Sequence, residues 1–172
     1  MRRPAVARDS RPMPKIDLNA APEIKGARYP TPYDEPCAAR VRRRLGDAAG
    51  LSQFGVNLLR LPPGCWSSQR HWHSAEDEFV YVLQGEVVLV TDSGEEVLKA
   101  GDCAGFKAGD EDGHHLQNRS DQDAVLLEVG SRKWPEEGSV DYPDIDLALP
   151  EGGRGFHRRD GRPYGPEDFR KT

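Results

Sequence analysis

Short apolar runs, separated by residues that favour turns, follow one another along the middle of the chain. In several runs apolar side chains alternate with polar or basic ones, the period of two expected for a strand with one buried face. Glycine, aspartate and serine cluster between the runs. Because the runs are short and closely spaced, we expect an all-β fold, an antiparallel barrel or sandwich without βαβ units. The predicted strands cover residues 39–45, 52–61, 78–84, 86–91, 95–99, 103–106, 114–119 and 124–129.

The two ends of the chain lack this pattern. Residues 1–14 are basic, contain prolines and have nothing to bury, so we expect a disordered leader, and Met13 is a second candidate start. Residues 15–38 hold four prolines and are expected to form an extended arm across the body. The barrel itself is predicted over residues 39–131. Residues 132–172 are rich in proline and glycine, and we expect them to wrap the barrel with little regular structure.

Composition and charge narrow the class of protein. At 172 residues the chain is long enough for one domain with its own core. A formal net charge of -5 gives no field that favours nucleic acid or an anionic membrane as a partner. The longest apolar run, residues 79–83, is far shorter than the roughly 20 residues of a membrane-spanning helix. Three scattered cysteines indicate reduced thiols, so we expect a cytoplasmic protein.

Four of the five histidines fall in two short segments. His71 and His73 are two positions apart, so both project to one face of a strand, and Glu78 follows a turn that can bring its carboxylate beside them. The second segment is His114-His115, and either residue could supply a further imidazole. Imidazoles with one carboxylate suit a divalent first-row metal and leave positions open for substrate or water. The sequence therefore predicts a metal site of catalytic type.

These segments resemble the two motifs of the cupin superfamily, over about residues 40–130. The first motif is filled by Gly64, His71, His73, Glu78 and Gly85. The second is filled by Gly101, Gly109, His114 and Asn118, with Lys107 where the family usually has proline and an insertion at residues 110–113.

The resemblance implies a single-domain bacterial cupin, a double-stranded β-helix or jelly-roll barrel. It implies that a divalent ion, Fe, Mn, Ni or Zn, binds to His71, His73, Glu78 and one of the two adjacent histidines. The family's inward-facing positions correspond to Leu116 and Asn118, which favours His114 over His115 as the fourth ligand. The resemblance also implies a homodimer.

Other residues are candidates for substrate binding or for an interface. Arg60, Gln69 and Lys107 are the candidate substrate residues, because they lie near the motif strands and could hold a polar or anionic group. Phe79, Tyr81 and Leu83 form an apolar stripe on the outer face of their strand, which a second subunit could cover. The basic run at residues 42–44 is interpreted as a solvated strand edge.

We therefore expect a metal-dependent enzyme that acts on a small oxygenated molecule, with Glu78 as the candidate catalytic residue. Cupins with this ligand set include iron dioxygenases and isomerases of sugar phosphates, and the sequence does not separate the two. The alternative is a small-molecule-binding or sensor protein without catalysis, which would need a protein partner.

Overall fold

The computed structural model describes residues 15–170, and strands dominate this part of the chain. One short helix, α1 (Leu45–Ala48), and two single turns of 3-10 helix, Glu35–Cys37 and Pro166–Asp168, accompany them. The strands of the described residues are β1 (Glu23–Lys25), β2 (Val41–Arg44), β3 (Phe54–Leu61), β4 (Trp72–His73), β5 (Glu78–Gln84), β6 (Glu86–Thr91), β7 (Gly94–Lys99), β8 (Cys103–Phe106), β9 (His115–Gln117), β10 (Ala124–Ser131), β11 (Val140–Tyr142) and β12 (Leu147–Leu149). The all-β prediction is confirmed.

The strands form antiparallel sheets that pack into a jelly-roll barrel. A six-stranded sheet has the order β1-β2-β3-β10-β5-β8, and a three-stranded sheet has the order β7-β6-β9. Leucine and valine side chains from both sheets form one core, so the two sheets pack face to face. A third sheet, β12-β11-β4, lies beside them and contains His73.

Side-chain alternation along β5 follows the predicted faces. Val80 and Val82 are buried in the core, whereas Phe79, Tyr81 and Leu83 are 40%, 37% and 48% exposed. Because successive side chains of a strand point to opposite faces, Glu78 shares the inner face with the two valines.

The turn between β5 and β6 requires a glycine, the motif residue Gly85. Gly85 has a φ of +75°, and a Cβ atom on it would lie 2.8 Å from the carbonyl oxygen of Asp123. Only glycine adopts this conformation freely and leaves that space.

Asn118 is fully buried, and its Nδ2 donates hydrogen bonds to the carbonyl oxygens of Leu61 and Gln122. The amide thereby joins the loop before β10 to β3.

The C-terminal segment has more regular structure than its composition suggests. Strand β11 pairs with β4 on one side and with β12 on the other. Tyr142 and Leu147 from this segment form a second core with Tyr29 and Cys37 from the N-terminal arm. These strands are only three residues long, and β11 finds its partner some 70 residues earlier in the chain. The local sequence pattern does not predict pairing between segments so far apart.

The arm also joins the main sheet, because β1 pairs with β2. No helix within residues 15–170 is long and apolar enough to cross a membrane.

Candidate metal centre and cavity

Three imidazoles converge on a single carboxylate oxygen inside the barrel. The Nε2 atoms of His71, His73 and His114 lie 3.5, 3.3 and 3.0 Å from Oε2 of Glu78. An antiparallel backbone bridge between His71 and His114 brings the two motif segments together. The atoms of His71, His73 and Glu78 that could bind an ion all lie within 4.8 Å of one another. Residues far apart in sequence therefore present their donors to one point.

The outer ring nitrogens of two histidines are oriented by acceptors behind them. Nδ1 of His71 lies 2.9 Å from the carbonyl oxygen of Gln69. Nδ1 of His73 lies 3.0 Å from Oε2 of Glu76, off the direction of a hydrogen bond, and has no other partner among the described residues. A neutral imidazole that donates Nδ1–H to such an acceptor directs its Nε2 lone pair at the cluster. The donor set thus fits a divalent first-row metal ion.

His114 and His115 have different surroundings. The ring of His114 stacks on Phe106 at 3.5 Å between centroids and belongs to the cluster. His115 turns away: its Nδ1 lies 3.1 Å from the carbonyl oxygen of Ser68, and its Nε2 accepts a hydrogen bond from Gln117. Both ring nitrogens of His115 are therefore engaged elsewhere, and His114 is the histidine that the structure places beside Glu78.

The cluster shifts the pKa values of its members. Burial raises the pKa of Glu78, but in the absence of a metal ion the three histidines can donate from Nε2–H to its carboxylate, which outweighs burial and holds the pKa well below its usual range. Burial lowers the pKa of His73, whereas Glu76 and Glu78 raise it, with a net result of about 9. Without a metal His73 therefore carries a proton at neutral pH, and a metal ion that binds here must displace it.

The cluster opens into a cavity of about 550 Å³. Its wall includes four arginines, Arg40, Arg42, Arg44 and Arg132. Arg42 donates two hydrogen bonds, of 2.7 and 2.8 Å, to the carboxylate of Glu128, which also lines the cavity. This volume is in the range of small-molecule binding sites, and its wall carries both arginines and carboxylates.

Comparison with known proteins identifies the family. The family model for the cupin domain matches residues 57–130. The structure of a cupin-superfamily sugar phosphate isomerase from Silicibacter pomeroyi is 45% identical to this chain, with a TM-score of 0.81. The match covers 91% of this chain and 99% of that one. The chain belongs to the cupin superfamily.

Two further structures support the fold. A protein from Acidithiobacillus ferrooxidans, provisionally named a sugar phosphate isomerase, is 29% identical with a TM-score of 0.67, over 80% of this chain and 86% of that one. A predicted oxalate decarboxylase from Thermotoga maritima is 22% identical with a TM-score of 0.54, over 68% of this chain and 97% of that one. At that identity the second likeness concerns the fold alone. No curated protein matches this cupin.

The residues predicted to bind substrate are not brought together. Arg60 points away from the cavity and pairs with Asp123 at 2.9 Å. Gln69 is buried, and its side chain donates to the carbonyl oxygen of Tyr33. Lys107 lines a second, smaller cavity of about 270 Å³, which reaches the cluster from another side. Only Lys107 therefore lies beside a cavity of the metal centre.

The prediction of a solvated strand edge at residues 42–44 is wrong. Strand β2 lies between β1 and β3, so it is not an edge strand of this sheet. Arg42 and Arg44, two positions apart, face the cavity, while Arg43 faces outward and contacts Glu23. Because side chains alternate along a strand, Arg42 and Arg44 could be distinguished from Arg43 once the inner face was known.

Other contributors have no signal in the sequence. The ring of Tyr142 stacks on the ring of His71, with centroids 5.6 Å apart. Backbone N–H groups of Lys133 and Trp134 donate to Glu76, behind His73. Both contacts come from the C-terminal segment and depend on how it folds back over the barrel.

Replacement of single histidines should separate ligands from neighbours. We expect His71→Ala and His114→Ala to lower the metal affinity of the cupin by more than the roughly 10–100-fold that loss of an outer partner costs. His115→Ala should keep wild-type metal content, because both ring nitrogens of His115 are used elsewhere. Elemental analysis of each protein, purified without added metal, measures its metal content. Equal metal loss in His114→Ala and His115→Ala would contradict the assignment.

The stability of the metal-free cupin should depend on pH through His115. Burial lowers the pKa of His115 from 6.5 to about 4. Between these values the unfolded chain binds a proton that the folded protein does not, so stability falls as the pH drops from about 6.5 to 4. The loss is at most about 3 kcal/mol. Urea unfolding at pH 7 and pH 4, after metal chelation, should show a smaller loss in His115→Gln than in wild type. Identical losses would show that His115 is not buried in neutral form.

Proposed function

We propose that this cupin is a metal-dependent isomerase of a phosphorylated sugar. The observation that carries the proposal is the His71, His73, His114 and Glu78 cluster at a cavity whose wall contains four arginines. Such a cavity suits a small oxygenated substrate that carries an anionic group. The 45% identical protein from Silicibacter pomeroyi, matched over 91% of this chain, is named a sugar phosphate isomerase, which supports the same reaction class.

The cluster residues would hold a divalent ion, Fe, Mn, Ni or Zn, through three Nε2 atoms and the Glu78 carboxylate. A bound ion would supply a Lewis acid that stabilises negative charge on the substrate oxygens. Glu78 contributes a full negative charge to this site because its pKa is held low. The carbonyl oxygen of Gln69 faces Nδ1 of His71 at 2.9 Å and keeps that ring in place, and the Glu76 carboxylate lies 3.0 Å from Nδ1 of His73.

Isomerisation moves a proton between adjacent carbon atoms, so a base must face the substrate. Glu128 projects from the inner face of β10 into the cavity, outside the donor set. Arg42 holds both of its oxygens, and Nδ2 of Asn57 lies 3.5 Å from one of them. We propose that Glu128 transfers the proton, which requires one of its two hydrogen bonds to Arg42 to open, and that Glu78 binds the metal ion. The role of Glu78 as a catalytic residue stays a prediction.

Turnover of sugar phosphates tests the reaction class. Protein reconstituted separately with Mn, Fe, Ni or Zn should interconvert aldose and ketose phosphates, and NMR in D₂O should show deuterium at the carbon that exchanges its proton. Glu128→Gln should lower kcat by roughly 100-fold with unchanged metal content, whereas Glu95→Gln, on the exposed β7, should behave as wild type.

Two outcomes would replace the proposal. Oxygen uptake by the iron-loaded protein, without isomerisation, would indicate a dioxygenase. Tight binding of a small molecule without turnover would indicate the sensor alternative.

The outer face of the six-stranded sheet supports a homodimer. Tyr81 lies opposite Leu127 on β10, and Leu127 lies opposite Leu58 on β3. With the exposed Phe79 and Leu83 these side chains form a continuous apolar surface over three strands. Monomeric proteins rarely leave such a surface in water, and a symmetric pair of subunits would bury it.

A charge on this surface should separate the subunits. Tyr81→Lys combined with Leu83→Lys is expected to halve the particle mass measured by size exclusion with light scattering. Val97→Lys is the control, because Val97 is 51% exposed on β7 of the other sheet. A monomeric wild-type protein, or a double variant that keeps the wild-type mass, would contradict the dimer.

A further inference from the structure

One arginine of the cavity differs from the other three in having no carboxylate partner. Arg42 pairs with Glu128, and Arg44 and Arg132 both pair with Asp47. No carboxylate of residues 15–170 forms an ion pair with Arg40. Arg42, Arg44 and Arg132 therefore each have a carboxylate within ion-pair distance, although Arg44 and Arg132 share one, and Arg40 has none in the described part of the chain.

Arg40 is nevertheless one of the more deeply buried charged residues, with 7% of its surface exposed. Its Nε donates to the carbonyl oxygen of Gly26 at 3.0 Å, and its own carbonyl oxygen accepts from the N–H of Gly26. These two bonds hold the side chain against the arm. Its two terminal nitrogens donate to no group of residues 15–170, and the side chain lines the cavity.

One buried phenol and two buried thiols lie near Arg40, those of Tyr29, Cys37 and Cys65. Burial raises the pKa of Cys37 to about 11, and the charge of Arg40 opposes that rise without reversing it. The nearby thiols and phenol thus stay protonated and provide no counter-ion. A buried charge without a counter-ion costs folding free energy, and an anionic ligand would offset that cost.

We propose that Arg40 binds the phosphate group of the substrate. The planar guanidinium can donate two parallel hydrogen bonds to a phosphate, and the side chain of Arg40 lines the cavity. The phosphate then lies at Arg40 and the reacting oxygens lie at the metal centre, so Arg40 selects phosphorylated over neutral sugars. The identity of the ligand as a sugar phosphate rests on the proposed function, whereas the oxyanion site at Arg40 does not.

Calorimetric titration with inorganic phosphate tests the site without any turnover. Arg40→Gln keeps a donor for the carbonyl oxygen of Gly26 but loses the charge. It should weaken phosphate binding about tenfold or more. Arg43→Gln is the matched control, because Arg43 faces outward from β2, and it should bind phosphate as wild type does. Arg40→Lys should restore part of the affinity.

Each titration is carried out on the metal-loaded protein and again after chelation, because phosphate can also bind a metal ion. The loss in Arg40→Gln is expected in both states. The proposal would be overturned if wild type bound no phosphate, or if Arg40→Gln bound phosphate as tightly as wild type and Arg43→Gln do. A loss of affinity confined to the metal-loaded protein would also overturn it. Acetate serves as the carboxylate probe, and binding of acetate as tight as that of phosphate would overturn the selection of phosphate.

A crystal structure of the wild-type protein with phosphate provides a second measurement that needs no variant to fold. Phosphate within hydrogen-bond distance of the Arg40 guanidinium supports the site, and phosphate bound only elsewhere in the cavity overturns it. If phosphate binding depends on Arg40 while no sugar phosphate is isomerised, the proposed reaction fails and the oxyanion site stands.

Discussion

The meeting of three imidazoles at one oxygen of Glu78 is the constraint on which the rest of the site depends. A carboxylate buried beside histidines is costly unless each polar atom has a partner. Here the Nε2 atoms of His71, His73 and His114 surround Oε2 at 3.0–3.5 Å. The barrel must bring β4, β5 and the segment before β9 to the same place to satisfy it. The fold and the candidate donor set therefore depend on the same arrangement of strands.

The C-terminal segment contacts this cluster from outside the barrel. Tyr142 stacks on His71, and the backbone of Lys133 and Trp134 holds Glu76 behind His73. Asp144 accepts two hydrogen bonds from Arg70, one position before His71. The outer partners of metal ligands set ring orientation and ligand basicity. The C-terminal segment thus supplies outer partners of the candidate metal site.

Charge is distributed unevenly within the cavity. Arg42 pairs with Glu128, and Arg44 and Arg132 share Asp47, whereas Arg40 has no carboxylate partner among residues 15–170. In a cavity partly shielded from water an uncompensated charge attracts an oppositely charged ligand more strongly than a paired one does. A metal centre at one place and an uncompensated arginine at another would orient an elongated anionic substrate between them.

Local patterns in the sequence determined the strands of the barrel, the inward face of β5 and the grouping of His71, His73 and Glu78. They could do so because alternation along a strand and the spacing of a motif are properties of neighbouring residues. The resemblance to cupins added the prediction that His114 faces this group in preference to His115. The cavity wall could not be predicted in this way: Arg60 and Gln69 point elsewhere, while Arg42 and Arg40 line it.

Only the tertiary structure decided which arginines have partners and which histidine of the adjacent pair faces Glu78. It also decided that a C-terminal strand stacks Tyr142 on His71 of the candidate metal site. Each of these depends on the register between segments far apart in sequence, such as the bridge of His71 to His114 and the pairing of β11 with β4. A shift of one residue in such a pairing would turn every side chain to the opposite face, and no local pattern specifies it.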